Sequence, residues 1–184
     1  LKILIPSTPH DAKGLLMAAI EDPNPVLVFE HKYLYRTMKG DVPGNPYGVE
    51  IGKARIAREG EDVTIVTWGL GVLWAMRTAS AMAAEGVSAE VVDLRSIIPW
   101  DSDTVFESVK KTGRILVVHE SNLTGGFGGE IASYVAEHAF AFLDAPPVRV
   151  GGSDTPVPFS ANLESEIFSA SARLDEATRR LLRF

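Results

Sequence analysis

The chain has 184 residues, 46% of them hydrophobic and 23% charged, an ordinary globular composition that excludes a disordered or fibrous protein. Its 18 basic and 24 acidic residues leave a net charge of −6 with no Lys/Arg-rich stripe, so no nucleic acid partner is expected. Cysteine is absent, which removes any disulfide framework, thiolate metal site or cysteine nucleophile and fits a reducing compartment.

The opening "LKILIP" reads as a strand already in progress, and Leu1 is not methionine, so a piece of a longer protein is expected. In "STPHDAKGLLMAAI" Thr8 is placed as N-cap, Pro9 at the first helical position and Asp11 at the third, a capping box opening a short helix. The helix runs into "AAIEDPNP", where Asp22 and Asn24 each precede a proline and follow unpaired, partially negative terminal carbonyls. Such an oxygen-rich loop suits potassium, sodium or calcium, although an ordinary helix-stop loop has the same composition. "PVLVFE" (residues 25–30) reads as a buried strand. The stretch "EHKYLYR" either presents His31 and Arg36 to an anion or is a solvated strand end. Thr37–Gly48, dense in Gly and Pro, has the composition of a linker and marks a domain boundary.

Beyond it, short β-rich runs alternate with helical ones, the signature of an α/β fold with a mostly parallel sheet flanked by helices. "DVTIVTWG" is a buried strand. Leu73, Met76, Ala79, Ser80 and Ala83 then share one helical face that stops at Gly86. "SAEVVDLR" is the next strand, with Asp93 and Arg95 able to pair at its end. Asp101 caps a helix whose Val105, Phe106 and Val109 face inward, with Lys110 and Lys111 at its negative end and Gly113 past it. "RILVVHE" is a strand, Gly128–Phe142 a helix, "PVRVGG" a strand and "ASARLDEATRRLLRF" a closing helix. No apolar run approaches the roughly 18 residues of a membrane span, so no membrane partner is expected. Right-handed crossovers bring Trp68-Gly69, Arg95-Ser96 and His119-Glu120 to one edge of the sheet, where α/β proteins keep their ligands.

The glycine-rich "HESNLTGGFGGE" at that edge has the look of a phosphate loop but neither of its spacings, and no lysine follows. Glu130 in the first helical turn complements the helix dipole itself and repels an anion. Gly125, Gly126, Gly128 and Gly129 therefore read as a tight turn permitting close approach to another surface. His119 is a possible general base, though no serine or aspartate nearby in sequence completes a triad, and a hydrogen-bonded structural histidine is the plainer reading. Trp74 and Trp100 read as packing residues.

Taken together, "PSTPHDAKGLLMAAIEDPNPVLVFEHKYLYR", "IGKARIAREGEDVTIVTWG", "VVDLRSIIPWD", "KTGRILVVHESNLTGGFGGEI" and "LDAPPVRVGGSDTPVPF" resemble, in order and nearly end to end, one family. This is the β part of the thiamine-diphosphate-dependent E1 component of 2-oxoacid dehydrogenases, closest to the branched-chain 2-oxoisovalerate type. Pyruvate and acetoin dehydrogenase β parts share most of these stretches. The resemblance implies residues 1–38 as the tail of a pyrimidine-binding domain, 39–60 as linker and first strand region, and 61–184 as a transketolase C-terminal-like domain. It implies that thiamine diphosphate and magnesium belong to the whole enzyme and are not held by this portion, which lacks catalytic residues and is inactive alone. It further implies potassium ligands at Ala19 (backbone carbonyl), Asp22 and Asn24. The turn Gly125, Gly126, Phe127, Gly128, Gly129 becomes an interface element, with an E1 α part, a second E1 β part and the E2 peripheral subunit-binding domain as partners. The implied location is bacterial cytoplasm or mitochondrial matrix.

Overall fold

Val63–Thr67 (β4) is buried at every residue, and its side chains alternate between two helical layers. Val63 and Ile65 face one core, Val66 the other. The computed structural model describes residues 1–167 and 170–184. In it β4 is the centre of a five-stranded sheet ordered β3-β5-β4-β7-β8, with β3 at Arg55–Arg58, β5 at Ala89–Asp93, β7 at Ile115–Asn122 and β8 at Val148–Gly152. The pairs β4–β5, β4–β7 and β7–β8 are parallel, and only the edge strand β3 runs antiparallel. The expected α/β sheet, mostly parallel and flanked by helices, is the observed one.

One face is covered by α3 (Leu70–Ala84) and α7 (Ala170–Leu181), which pack Ala75, Ala79, Leu174 and Leu181 against Ile65, Leu116 and Val118. The opposite face carries α4 (Ser102–Thr112) and α5 (Gly128–His138), with Val105, Val109, Ile131 and Val135 over Val66, Val92, Ile115 and Val117. Each such buried aliphatic side chain contributes about 1.5–3 kcal/mol of transfer free energy.

The caps are as expected. The Asp11 amide donates to Thr8 Oγ1 at 3.1 Å to open α1 (Pro9–Glu21), and the Thr104 amide donates to Asp101 Oδ1 at 3.2 Å to open α4. Gly113 closes α4 in the left-handed region, φ 67°. Three expectations are corrected. On α3 the buried face is Val72, Ala75, Thr78, Ala79 and Met82, while Ser80 and Ala83 are exposed. The helix from Gly128 ends at His138 and yields to a 3-10 turn at Phe140–Phe142. β2 (Val26–Val28) is a partly exposed edge strand, not a buried one.

Three short elements were not apparent in sequence: a helix at Leu34–Thr37, where a solvated strand end was one reading, β6 at Ser96–Ile98 and α6 at Ala161–Ile167. β6 pairs antiparallel with β1 (Lys2–Leu4), and β1 pairs parallel with β2, giving a second sheet ordered β2-β1-β6. α1 packs on it through a small core of Leu4, Leu15 and Val49. Between α2 (Leu34–Thr37) and β3 the chain has no regular element but is tied down. Val49 N donates to the Gly14 carbonyl at 3.0 Å, and Tyr47 stacks on His10 with ring centres 4.6 Å apart.

Candidate functional site

The carboxyl ends of β4, β5 and β7 do converge with the start of α1, and four charged groups meet there. Asp93 ends β5 fully buried and accepts from the Ser7 hydroxyl and from Arg55 Nη2 at 3.1 Å. Burial pushes its carboxyl above the usual range, against the lowering effect of Ser7 and Arg55. The expected Asp93–Arg95 side-chain pair is not made. Arg95 has φ 57°, which turns its guanidinium away to Asp11 Oδ1 at 3.1 Å and to the carbonyls of Lys53 and Ala54. Asp11, 2% exposed, thus serves α1 as its third residue and also binds Arg95 and Arg55. Sequence reasoning missed Ser7, Asp11 and Arg55 as partners of β5 because they arrive from remote segments. This is a structural clamp with every cation matched to a carboxylate, not an open reactive centre.

His119 lies next along the edge, 1% exposed and stacked on Trp68 with ring centres 5.5 Å apart. Its Nδ1 is 3.0 Å from the Ser121 carbonyl and 2.9 Å from the Ser121 hydroxyl oxygen; the carbonyl can only accept, so the proton is assigned to Nδ1, with the hydroxyl oxygen as a second acceptor, and Nε2 is bare. Burial holds this imidazole below its ordinary value, opposed by the Ser121 bond and reinforced by nearby Arg149. The turn glycines pack on the ring: a Cβ on Gly128 would lie 2.6 Å from Nε2, and one on Gly126 2.7 Å from Cε1. The close approach that these glycines permit is therefore made inside the chain, while Gly125 (φ 72°) meets nothing and is exposed. Phe127 stands edge-on to both Trp68 and Trp100 and borders a cleft of about 640 Å³ with Pro99, Glu130 and Arg149. Glu120, adjacent to His119, is turned to His31 Nε2 at 3.0 Å, and His31 Nδ1 accepts from the Tyr33 amide. His31 is thus engaged with a carboxylate, and among the described residues no second base or hydroxyl is aligned with His119 Nε2.

Asp22 follows the end of α1. One carboxylate oxygen accepts from the Asn24 backbone and side-chain amides at 2.9 and 3.2 Å, and the other is paired with the Lys2 ammonium. The Lys2 contact and then the Asn24 amide hold this carboxyl below its usual range. Ala19, half-buried, keeps a carbonyl whose donor four residues on is Pro23, which has no N–H. The loop therefore combines a spare carbonyl with a carboxylate whose charge a lysine already balances. Among the described residues no group of three or more His, Cys, Asp or Glu side chains is arranged to hold a metal, and no helix is long and apolar enough to cross a membrane.

Residues 52–174 match the family described as transketolase, C-terminal domain. The chain belongs to that family. The matched span of this transketolase C-terminal domain runs from just before β3 into α7 and contains the His119 edge and the glycine turn. Its relatives include the 2-oxoisovalerate dehydrogenase subunit β of Bacillus subtilis (strain 168), 44% identical over all of this chain and 57% of the relative. The acetoin:2,6-dichlorophenolindophenol oxidoreductase subunit β of Cupriavidus necator is 45% identical over 100% of this chain and 54% of its own length. Among solved structures, a split-gene transketolase described as an inactive β4 tetramer superposes with a TM-score of 0.81 at 25% identity, over 99% of this chain and 58% of that one. The chain thus spans little more than half the length of these relatives.

Proposed function

We propose that the chain is the scaffold-bearing C-terminal part of an E1 β subunit, in an enzyme that oxidatively decarboxylates a branched-chain 2-oxo acid and passes the acyl group to lipoyl on E2. The observation that carries the reading is the 44% identity to a 2-oxoisovalerate dehydrogenase β subunit across every residue of this chain. The 45% identity to an acetoin-oxidising subunit favours acetoin as the second substrate to test. In the assembled enzyme thiamine diphosphate supplies carbanion stabilisation when bound. The groups on this chain do not fit that cofactor or its magnesium, and no catalytic step is assigned to them.

Their work is placement. The Asp11–Arg95–Asp93–Arg55 clamp fixes α1 to β5, and the His119 slot fixes the glycine turn, which fits a surface offered to an E1 α part, a second β part or the E2 peripheral subunit-binding domain. Ala19, Asp22 and Asn24 are assigned to a potassium site in which Lys2 competes with the ion. The decisive experiment assays the purified 184-residue chain with thiamine diphosphate, magnesium and 2-oxoisovalerate, pyruvate or acetoin, then repeats it with the complementary half and an α subunit. No turnover is expected alone, and 2-oxoisovalerate is expected as the best substrate on reconstitution. Turnover by the isolated chain refutes the scaffold role.

A further inference from the structure

The neutral, unpartnered Nε2 of His119 has a consequence for the turn that covers it. We propose that His119 is a proton-sensitive peg: neutral, its ring seats residues 123–129 on the carboxyl edge of the sheet, and protonation expels the turn from that seat. The proposal concerns order within this chain and does not depend on which partner meets the turn.

The slot is closed on every side. Trp68 stacks on one face of the ring, Gly126 and Gly151 lie against Cε1, and Gly128 lies against Nε2 and Cδ2, each so near that an added Cβ would fall within 3.0 Å of it. Nδ1 is committed to Ser121, and Nε2 has no hydrogen-bond partner. A second proton must go on Nε2, where it would be a buried N–H facing the turn glycines with no protein acceptor within hydrogen-bond distance. A buried donor left without an acceptor is disfavoured, and a charged one more so, so the ring leaves the slot or the turn lifts from it.

The charged groups on the surrounding elements offer no relief. Glu120 on β7 is taken by His31. Glu130 lies in the first turn of α5, at the positive end of the helix dipole. Arg149 on β8 donates to the Leu123 carbonyl at 3.1 Å and adds positive charge beside the ring, and Arg173 on α7 donates to the Gly151 carbonyl. Among the described residues Asp154, just beyond β8, is the carboxylate tied to the turn, accepting from the Thr124 hydroxyl and amide at 2.6 and 3.1 Å. Those two bonds from Thr124 hold the Asp154 carboxyl below its usual range, so it stays ionised while His119 titrates. The two groups act in separate pH windows: the His119 contribution is full above the ordinary histidine value of about 6.5 and falls away below it, and Asp154 follows only below about 4.

The test is a pH titration of the 184-residue chain by NMR, reading the His119 tautomer and protonation together with amide protection factors. At pH 7.5 His119 is expected as the Nδ1–H tautomer. Its protonation should coincide with a loss of protection at Gly126, Gly128 and Gly129 of about tenfold or more, while Ile65 and Val66 in β4 keep theirs. Protonation of His119 with the turn amides unchanged overturns the proposal, as does unfolding of the whole chain in the same step. Asp154→Asn is expected to keep the transition at the same pH; its disappearance in that variant assigns the effect to Asp154 and also overturns it. His119→Gln, neutral throughout, is expected to show no transition between pH 7.5 and 5.

Discussion

Asp11 and Gly128 show how much depends on single side chains at this edge. Asp11 is buried and faces two guanidinium groups, so removing it leaves Arg95 with no carboxylate, only the Lys53 and Ala54 carbonyls, and leaves Arg55 with Asp93 alone. Breaking a buried pair of this kind costs about 3–5 kcal/mol. Asp11→Ala is accordingly expected to lower the denaturant midpoint by that equivalent with the slope unchanged. Gly128→Ala drives a methyl to 2.6 Å from His119 Nε2 and is expected to destabilise by about 1–3 kcal/mol, with the near-ultraviolet signal of Trp68 altered. At this scale the sequence was informative in part. The glycines announced a close approach, yet the surface approached turned out to be His119, nearby in the chain but reached only after it reverses. The Asp93–Arg95 pairing failed for a local reason, since a positive φ at Arg95 reverses the direction its side chain takes.

At the scale of elements, capping chemistry was the most legible signal because it is local: a hydroxyl or carboxylate meets an amide three residues on. Asp101 does more than cap, accepting also from the Ala54 amide at 2.9 Å, which ties α4 to the segment before β3. Burial disfavours its charge, but the Ala54 and Thr104 bonds outweigh this and hold the carboxyl below its usual range. Asp101→Ala is expected to cost at least about 2 kcal/mol, one part for the lost cap and one for an orphaned amide. The face of α3 was misread for a physical reason. The large residues Leu73, Trp74 and Met76 sit on its half-buried flanks, while Ala75, Thr78 and Ala79, small enough for close contact, form the seam with the sheet and α7. Periodicity counts apolar residues and is blind to this use of small ones. The α1 loop gives a separate test of the proposed ion site. Potassium chloride is expected to raise the Tm relative to choline chloride at equal ionic strength, by about 2–4 °C for each kcal/mol of binding. Asp22→Asn should abolish that rise and Lys2→Gln should enlarge it.

For the molecule as a whole, the mostly parallel sheet, its helical flanks and the edge shared by the strand ends followed from alternating hydrophobic patterns and crossover handedness, whereas the strand order is seen only in the structure. What did not follow was the second sheet, because β6 is three residues long and its partner β1 lies more than ninety residues earlier. Stability should be greatest at neutral pH. It is expected to decline below about 6.5 as the unfolded chain takes up protons that buried His119 refuses, and again below about 4 as Asp101, Asp22 and Asp154 lose their hydrogen-bonded charge. Thermal unfolding followed across pH 3–8 checks both steps.

The strand β1 carries one more implication. It is hydrogen-bonded on one side to β2 and on the other to β6, so the opening segment and the later domain share a common backbone ladder. A protease that nicks the loop between α2 and β3 would sever the covalent thread without releasing either piece. The cut fragments should co-elute at the mass of the intact chain and part company only in denaturant.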